Sequence, residues 1–225
     1  NMKKKDSNIN YHLGELEIAK DRTSPFHIMP QFSENDQAIL DIGCGIGQTF
    51  AALEELKGRS RLVGLDIDMA SLVYGRNHFD FIKYTNAAAE RLPFKDNSFD
   101  VVISRVSLPY TNIPKSLVEI RRVLKDDREV WFTLHSLSME LRQLINSVRS
   151  LRLRRVIFGI YAIVNGLIFN FFGKQFSFPT TNRCASFQTE SGMIKALTRA
   201  GYTNVMAERK GIHFIVTAKK KSQSD

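Results

Sequence analysis

A short apolar run that ends in three closely spaced glycines is the feature that most constrains the fold of this 225-residue chain. Residues 38–42 read as a buried strand, and Gly43, Gly45 and Gly47 follow at every second position. Glycines let the backbone turn tightly and let a ligand approach closely, and a following helix presents free N–H groups there. A dinucleotide fingerprint needs a further glycine where Gln48 stands. The pattern therefore predicts a ligand-binding turn between a strand and a helix.

Two carboxylates near this turn indicate which ligand it binds. Asp41 precedes the first glycine by two residues, where a carboxylate suits an ammonium group better than a pyrophosphate. Asp66 ends the next apolar run, about twenty residues on, where a carboxylate usually binds ribose hydroxyls. Asp66 suits a dinucleotide and S-adenosylmethionine (SAM) equally, but SAM carries an ammonium group and no phosphate. The pair favours SAM over the plain alternative, a glycine-rich turn with a helix-capping aspartate.

Strand and helix patterns alternate along most of the chain. Short apolar runs predict strands at 38–42, 61–65, 81–84, 101–104, 130–134, 205–208 and 213–218. Helical patterns lie at 49–56, 69–78, 114–124 and 189–200. This alternation predicts an α/β fold with a doubly wound, mostly parallel, seven-stranded sheet and right-handed crossovers. The last two strands are too close for a helical crossover, so we expect a hairpin with an antiparallel last strand, which gives the otherwise parallel sheet an antiparallel edge.

The remaining segments are expected to belong to the same single domain, which spans 1–225. Residues 1–36 are polar with a helical patch at 11–20, and we interpret them as an N-terminal cap segment. Residues 137–186 exceed the length of a simple crossover, and we expect a helical insert that forms a lid over the carboxyl ends of the strands.

Four segments resemble the class I (Rossmann-like) SAM-dependent methyltransferases, and within them the type-11 group that includes quinone-biosynthesis methyltransferases. They are 39–47, 63–66, 89–102 and 117–125, in the order that this group has them. The resemblance covers about residues 38–135 and resumes at 187–219. It implies the class I methyltransferase fold, with an antiparallel last strand, and SAM as the cofactor.

The resemblance also implies the roles of individual residues at the cofactor. The residues that would contact it are Asp41, Gly43, Cys44, Gly45, Gly47, Asp66, Ile67, Ala88, Ala89 and Ser104. Asp41 and the loop would hold the methionine end, Asp66 the ribose, and Ile67 would pack on the adenine. Ala88 and Ala89 would lie along the adenine edge. The group usually has an aspartate where Ala88 stands, so the adenine amine would rely on backbone groups or water, at a loss of about 1 kcal/mol.

No catalytic residue follows from the motifs alone. Methyl transfer gains most of its rate from alignment and desolvation, and it needs a general base only if the acceptor must lose a proton. Tyr110 and His135 follow strands and are candidates for that base, and Arg105 could orient an anionic acceptor. Merely structural or cofactor-lining roles remain the alternative for all three. Three further histidines, His12, His27 and His213, have no motif support and are expected in solvent or in the core.

The insert combines a basic amphipathic helix with the most apolar stretch of the chain. Leu141, Leu144, Ile145, Val148 and Leu151 share one helical face, with arginines on the others. The stretch 156–172 follows, shorter than the roughly twenty residues of a spanning helix and interrupted by two asparagines. Three interpretations remain open: core packing, a lid whose Phe171 and Phe172 line an apolar acceptor pocket, or peripheral membrane contact through 142–172.

These observations predict a SAM-dependent methyltransferase that acts on a small, apolar or aromatic acceptor. The net charge of +9 keeps an RNA methyltransferase as an alternative, although no RNA-binding module or aromatic-basic interleaving supports nucleic acid as a partner. A non-catalytic SAM-binding protein is a third reading, supported by Ala88. The two cysteines, Cys44 and Cys184, form no metal-ligand pattern, so no metal is expected. They favour a reducing compartment, and with no apolar segment behind the basic N-terminus we expect a cytoplasmic location, or a peripheral one at a membrane.

Overall fold

A seven-stranded sheet organises the part of the chain that the computed structural model describes. The described backbone covers residues 2–210 and 213–222, and the side chains of 2–7 and 135 lie outside the description. The strands are β1 (Ala38–Ile42), β2 (Arg61–Asp66), β3 (Ile82–Asn86), β4 (Phe99–Arg105), β5 (Leu124–His135), β6 (Tyr202–Lys210) and β7 (His213–Lys220). Their order in the sheet is β3-β2-β1-β4-β5-β7-β6. The order reverses between β1 and β4, and ligands of such sheets bind beyond the carboxyl ends of the strands at this point.

The predicted fold class is confirmed, including the antiparallel hairpin at the edge of the sheet. Strands β1 to β5 pair in parallel, and β7 pairs antiparallel with both β5 and β6. The antiparallel last strand therefore lies inside the sheet, and β6, which runs parallel to β5, forms the edge. The expected hairpin and its antiparallel last strand are both present, and β7 is the strand of the hairpin that pairs with β5.

Helices connect the strands and cover the sheet. They are α1 (Met2–Lys20), α2 (Gln48–Ala51), α3 (Met69–His78), α4 (Ile113–Val123), α5 (Leu137–Arg149), α6 (Leu153–Phe172) and α7 (Glu190–Arg199). Three of them begin with side-chain caps, since Asp68, Asn112 and Thr189 accept backbone N–H groups of α3, α4 and α7. Alternate residues of β1 enter different apolar clusters, Leu40 one and Ile39 the other, so both faces of the sheet are buried.

The insert forms a helical hairpin beside the carboxyl ends of β4 and β5. Helix α5 starts directly after β5, and the segment that follows α6 returns to the residues after β4. There the Ile113 N–H donates to Gln175 Oε1 over 2.7 Å, and the Ser186 N–H donates to the Pro109 carbonyl over 3.1 Å. Among the described helices, α6 alone is long and apolar enough to cross a membrane by length and composition.

Candidate functional site

A cavity of about 800 Å³ opens at the carboxyl ends of β1, β2 and β4. Gly43 follows β1, Asp66 ends β2 and is followed by Ile67, and Arg105 ends β4, so four predicted site residues at the ends of three strands line one space. Its volume lies within the range of small-molecule sites. The switch point of the sheet therefore carries a cavity of the expected size, where the sequence predicts the ligand.

The glycine turn lies at the base of this cavity. Gly43, Gly45 and Gly47 have φ angles of 74°, 56° and 90°, in the left-handed region that favours glycine. A Cβ atom at Gly43 would collide with the side chain of Ser107, and one at Gly45 would collide with the ring of His12. Both the backbone conformation and the close approach of neighbours therefore require glycine at these positions.

Asp66 is held at the cavity wall by backbone N–H groups. Its Oδ2 accepts the Gly45 N–H over 2.8 Å, and its Oδ1 accepts the Asp68 N–H over 2.8 Å. Each carboxylate oxygen keeps a further lone pair for a ligand hydroxyl. Ile67 follows with a side chain that is 65% exposed, an apolar surface on the same wall. This arrangement fits a ribose next to a flat aromatic ring.

Asp41 of β1 is a buried carboxylate whose charge is only partly compensated. Its side chain is 1% exposed, and among the described residues neither oxygen has a hydrogen-bond donor. Burial raises its pKa to about 7, and the nearby Thr49 hydroxyl and Arg105 charge offset only part of that rise. A buried carboxylate without a donor is costly unless a cation or N–H group reaches it. The residue is therefore suited to a ligand ammonium group, directly or through water.

The other predicted cofactor residues lie off the lining of this cavity. Cys44 is buried, with its Sγ 3.7 Å from the Gly45 carbonyl oxygen. Ala88 is exposed, whereas Ala89 is buried in the larger apolar cluster of the sheet. Ser104 is buried, and its hydroxyl lies 2.7 Å from that of Ser107, which does line the cavity.

Two of the three candidate catalytic residues, Arg105 and Tyr110, line this cavity. Arg105 is 8% exposed and pairs with Glu15 of α1 over 3.2 Å, and its Nη1 is buried without a hydrogen-bond partner among the described residues. Tyr110 lines the same cavity, and burial raises the pKa of its hydroxyl. His135 ends β5 and pairs with His213, and its side chain lies outside the described part of the chain.

Helix α1 covers the cavity, a contribution that the sequence patterns did not reveal. Its inward side chains that line the cavity are Asn8, Tyr11, His12 and Glu15. Asn8 Nδ2 donates to Asp68 Oδ2 over 3.2 Å, and His12 Nδ1 lies 3.3 Å from Gln48 Nε2. Burial lowers the pKa of His12, although nearby carboxylates act in the opposite direction. The expectation of a solvated or core role for His12 is therefore wrong, because its helix packs over the glycine turn.

Val106 is a second residue that the sequence patterns missed. It follows β4 at the cavity wall with a φ of 62°, which is strained for a β-branched residue. Its N–H donates to the Oγ1 of Thr133 over 3.0 Å, which helps to hold this conformation. The strained turn aims Arg105 and Ser107, on either side of it, into the cavity.

Two more cavities adjoin the first through Tyr110. One of about 420 Å³ shares Tyr11, Glu15, Arg105 and Val106 with it as well. The other, of about 1140 Å³, lies between α5 and α6. Its apolar lining is formed by Leu144, Ile157, Phe158, Phe178 and Ala185. The cavity of the glycine turn and the cavity between α5 and α6 thus share one lining residue, Tyr110.

Phe171 and Phe172 do not line any of these cavities. They are 73% and 70% exposed at the end of α6. The expectation that both side chains face an acceptor pocket is wrong, because the residues of α6 that line the cavity beside α5 lie near the other end of the helix, at 154–159.

The central part of the chain matches a known domain family. Residues 40–132 match the type-11 family model that is described as a methyltransferase domain. The chain is 41% identical over 99 residues to the uncharacterized protein MJ1252 of Methanocaldococcus jannaschii. This match covers 43% of the chain and 36% of that relative. It is 41% identical over 92 residues to the uncharacterized methyltransferase YodH of Bacillus subtilis, which covers 40% of each. The matches thus span about two fifths of these relatives or less.

Solved structures agree with the fold over nearly the whole chain. Human N-acetylserotonin methyltransferase in complex with SAM superimposes with a TM-score of 0.64 at 13% identity, over 97% of this chain and 57% of that one. The YcgJ protein of Bacillus subtilis gives a TM-score of 0.57 at 14% identity, over 95% of this chain and 99% of that one. At these identities the likeness bears on the fold alone.

Proposed function

Since this chain carries a class I, SAM-dependent methyltransferase domain, we propose that it transfers a methyl group from SAM to a small, apolar or aromatic acceptor. The observation that carries the proposal is the junction at Tyr110, where the polar cavity of the glycine turn meets the apolar cavity of the insert. A transferase of this kind needs a polar cofactor site and an acceptor site that share a boundary.

The residues of the polar cavity fit the cofactor group by group. The unpaired carboxylate of Asp41 suits the ammonium of the methionine moiety, and Asp66 suits the ribose hydroxyls. Ile67 offers an apolar surface to the adenine. When bound, SAM supplies a methyl group on a positively charged sulfur, and the acceptor atom displaces that sulfur in line. The task of the chain is to align the acceptor and to exclude water.

The cavity between α5 and α6 supports an apolar acceptor. Small-molecule sites combine apolar walls with polar groups that orient the ligand. Here Tyr110, Glu140 and Gln143 are joined by other polar side chains of the lining, among them Arg152, Arg154 and Arg155. Named relatives include a demethylmenaquinone methyltransferase of Chlorobaculum tepidum, at 29% identity over 93 residues, and a sterol 4-C-methyltransferase of Caenorhabditis elegans, at 35% identity over 102 residues. Those names specify acceptors of the proposed kind.

The side chains at the junction favour orientation over base catalysis. Burial raises the pKa of Tyr110, so its hydroxyl stays protonated at neutral pH and donates a hydrogen bond to an acceptor oxygen or nitrogen. Arg105 keeps one buried N–H group without a partner among the described residues, which can receive an anionic oxygen. Burial lowers the pKa of His12, which makes its imidazole a weaker base.

One experiment tests the proposal directly. The purified chain is incubated with methyl-labelled SAM and a cell extract that has been separated into solvent-soluble small molecules, RNA and protein. We expect label in the small molecules, and none with the Asp66→Ala variant at the same SAM concentration. Label in RNA would instead support the nucleic-acid alternative, and cofactor binding without transfer to any fraction would support a non-catalytic protein.

A further inference from the structure

Helix α6 presents its apolar side chains to solvent. The face toward the protein carries small, aromatic and polar residues: Tyr161, Ala162, Asn165, Gly166 and Phe169. The opposite face is exposed and entirely apolar: Leu153, Ile157, Ile160, Val164, Leu167 and Phe171. These six recur at intervals of three or four residues, so they form one stripe along the helix. A soluble helix ordinarily shows polar residues on its outer face, so this stripe indicates a surface that another apolar phase covers.

Helix α5 extends the same kind of surface. Leu141, Ile145 and Val148 are exposed along it, and Leu151, in the turn to α6, is 93% exposed. Gly159 of α6 lies against Leu144 of α5, so the two helices pack side by side as a hairpin. We call the exposed apolar residues of α5, of this turn and of α6 the hairpin face.

The charge of the hairpin has a single sign at its surface. Arg142, Arg149, Arg152, Arg154 and Arg155 are all exposed. Glu140 is the one acidic residue between 137 and 172, and it is buried. An apolar surface bordered by exposed arginines is complementary to a bilayer surface, where apolar chains lie just below anionic phosphates.

Contacts on the inner face of α6 oppose insertion of this helix across a membrane. The buried Asn165 side chain donates to the Ala185 carbonyl over 2.9 Å and accepts the Phe176 N–H over 3.1 Å. Phe169 belongs to the main core of the sheet, and Gly166 packs directly on Phe187. A helix tied to the protein along one face can lie in a bilayer surface but cannot cross the bilayer without breaking these contacts.

We propose that the hairpin face docks peripherally on an anionic lipid bilayer, with the arginines on lipid phosphates and the apolar stripe of α6 in the outer acyl region. A second copy of the chain is a poorer occupant. A two-fold interface would bring the same patch, and therefore five like charges, against itself. The docking does not depend on the proposed methyl transfer, so either proposal can fail alone.

Vesicle sedimentation of the full chain tests the docking. The probes are vesicles of phosphatidylcholine alone and of phosphatidylcholine with an equal amount of phosphatidylglycerol. We expect sedimentation with the anionic vesicles at low salt, at least tenfold less with the neutral ones, and release as salt rises. The double variants Phe171→Ser/Phe172→Ser and Arg142→Gln/Arg149→Gln should each lower the bound fraction severalfold. None of these four residues lines a described cavity.

Matched controls test whether vesicle binding depends on the hairpin face or on exposed apolar and charged side chains in general. Val118→Ser/Met206→Ser removes two exposed apolar side chains elsewhere, and Arg76→Gln/Lys83→Gln removes two exposed charges elsewhere. Both controls should bind anionic vesicles as the unchanged chain does, and all variants should keep its melting temperature and SAM affinity. The proposal would be overturned if the unchanged chain did not bind anionic vesicles. It would also be overturned if the hairpin and control variants lowered the bound fraction equally. A dimer in solution that the Phe171 and Phe172 changes dissociate, without any vesicle binding, would assign the face to a second copy instead.

Discussion

Asp41 and Asp66 stand on neighbouring strands, yet their surroundings give them different tasks. Asp66 accepts two backbone N–H groups at the open wall of the cavity, so its charge is stabilised before any ligand arrives. Asp41 is buried in β1 without a donor among the described residues. Asp66 is therefore positioned to accept hydrogen bonds from ligand hydroxyls, and Asp41 carries a charge that a bound cation would stabilise.

Replacement of Asp66 should separate cofactor binding from folding. We expect Asp66→Ala to weaken SAM binding by about 1–3 kcal/mol, because ribose hydroxyls lose charge-assisted partners. Calorimetric titration measures this, with NAD as the comparison ligand and negligible NAD binding expected for the unchanged chain. NAD binding tighter than SAM binding would contradict the assignment of the cavity.

Asp41 should make the stability of the ligand-free chain depend on pH. Its pKa is about 7 in the folded protein and near the ordinary 3.8 when unfolded, so between these values the folded state alone holds the proton. Stability from this group is therefore highest near pH 4 and falls as pH rises to about 7, on the order of a few kcal/mol in total. Urea unfolding from pH 4.5 to 8 should show a weaker fall for Asp41→Asn. Parallel curves for the two proteins would show that Asp41 is not the group that titrates.

Local residue patterns predicted the strand-borne part of the site and missed the rest. Gly43, Asp66 and Arg105 end strands whose apolar runs are visible in the sequence, and the sheet brings them together. His12 and Glu15 reach the cavity through contacts such as the Glu15–Arg105 pair, which joins residues 90 positions apart. No periodicity encodes such a contact. The same reason explains why Ala89, assigned by resemblance, is found in the core.

At the scale of elements, a buried amide helps to fasten α6 to the rest of the protein. Asn165 is fully buried, and its hydrogen bonds join α6 to the segment that leads back to α7. Gly166 on the next position admits the Phe187 ring, since any side chain there would collide with it. A helix that is apolar on its outside therefore depends on polar contacts on its inside.

Loss of that amide should cost more than loss of an outer apolar side chain. We expect Asn165→Ala to lower the free energy of unfolding by about 1–3 kcal/mol, since the Ala185 carbonyl and the Phe176 N–H lose their partner. Val164→Ala on the exposed face is the matched control and should change it by about 0.5 kcal/mol or less. Denaturant titration compares the two. Similar losses would mean that both faces of α6 are packed.

Element positions were predictable where the pattern is strong and local. Helix α3 has the predicted bounds, and β4 and β5 extend beyond their predicted runs because sheet pairing continues into polar residues. The insert was recognisable as helical, but its outward apolar face was not, because periodicity reveals a stripe and not the direction in which it faces. Likewise the hairpin of β6 and β7 was predictable, and the choice of β7 as the partner of β5 was not.

For the whole molecule, ligand binding should appear as thermal stability. SAM that binds the folded state alone adds about 2.7 kcal/mol at a concentration one hundred times its Kd. For a chain of this length that raises the melting temperature by roughly 5–10 °C. Scanning fluorimetry should show the rise with SAM and with its demethylated product, no rise with NAD, and a smaller one for Asp66→Ala. An equal rise with NAD would mean that the cavity does not discriminate against pyrophosphate.

The meeting of two cavities at Tyr110 has a consequence for the kinetics of turnover. The cavity of the glycine turn lies under α1 and the other lies between α5 and α6, so under the proposed function the cofactor and the acceptor would reach the tyrosine from different sides. Neither reactant then blocks the path of the other, and we expect a random-order ternary complex rather than a compulsory sequence. Initial-rate plots at varied concentrations of both reactants should intersect, and the demethylated cofactor should compete with SAM but not with the acceptor. Such an enzyme can release its spent cofactor into water while its methylated product leaves through an apolar exit.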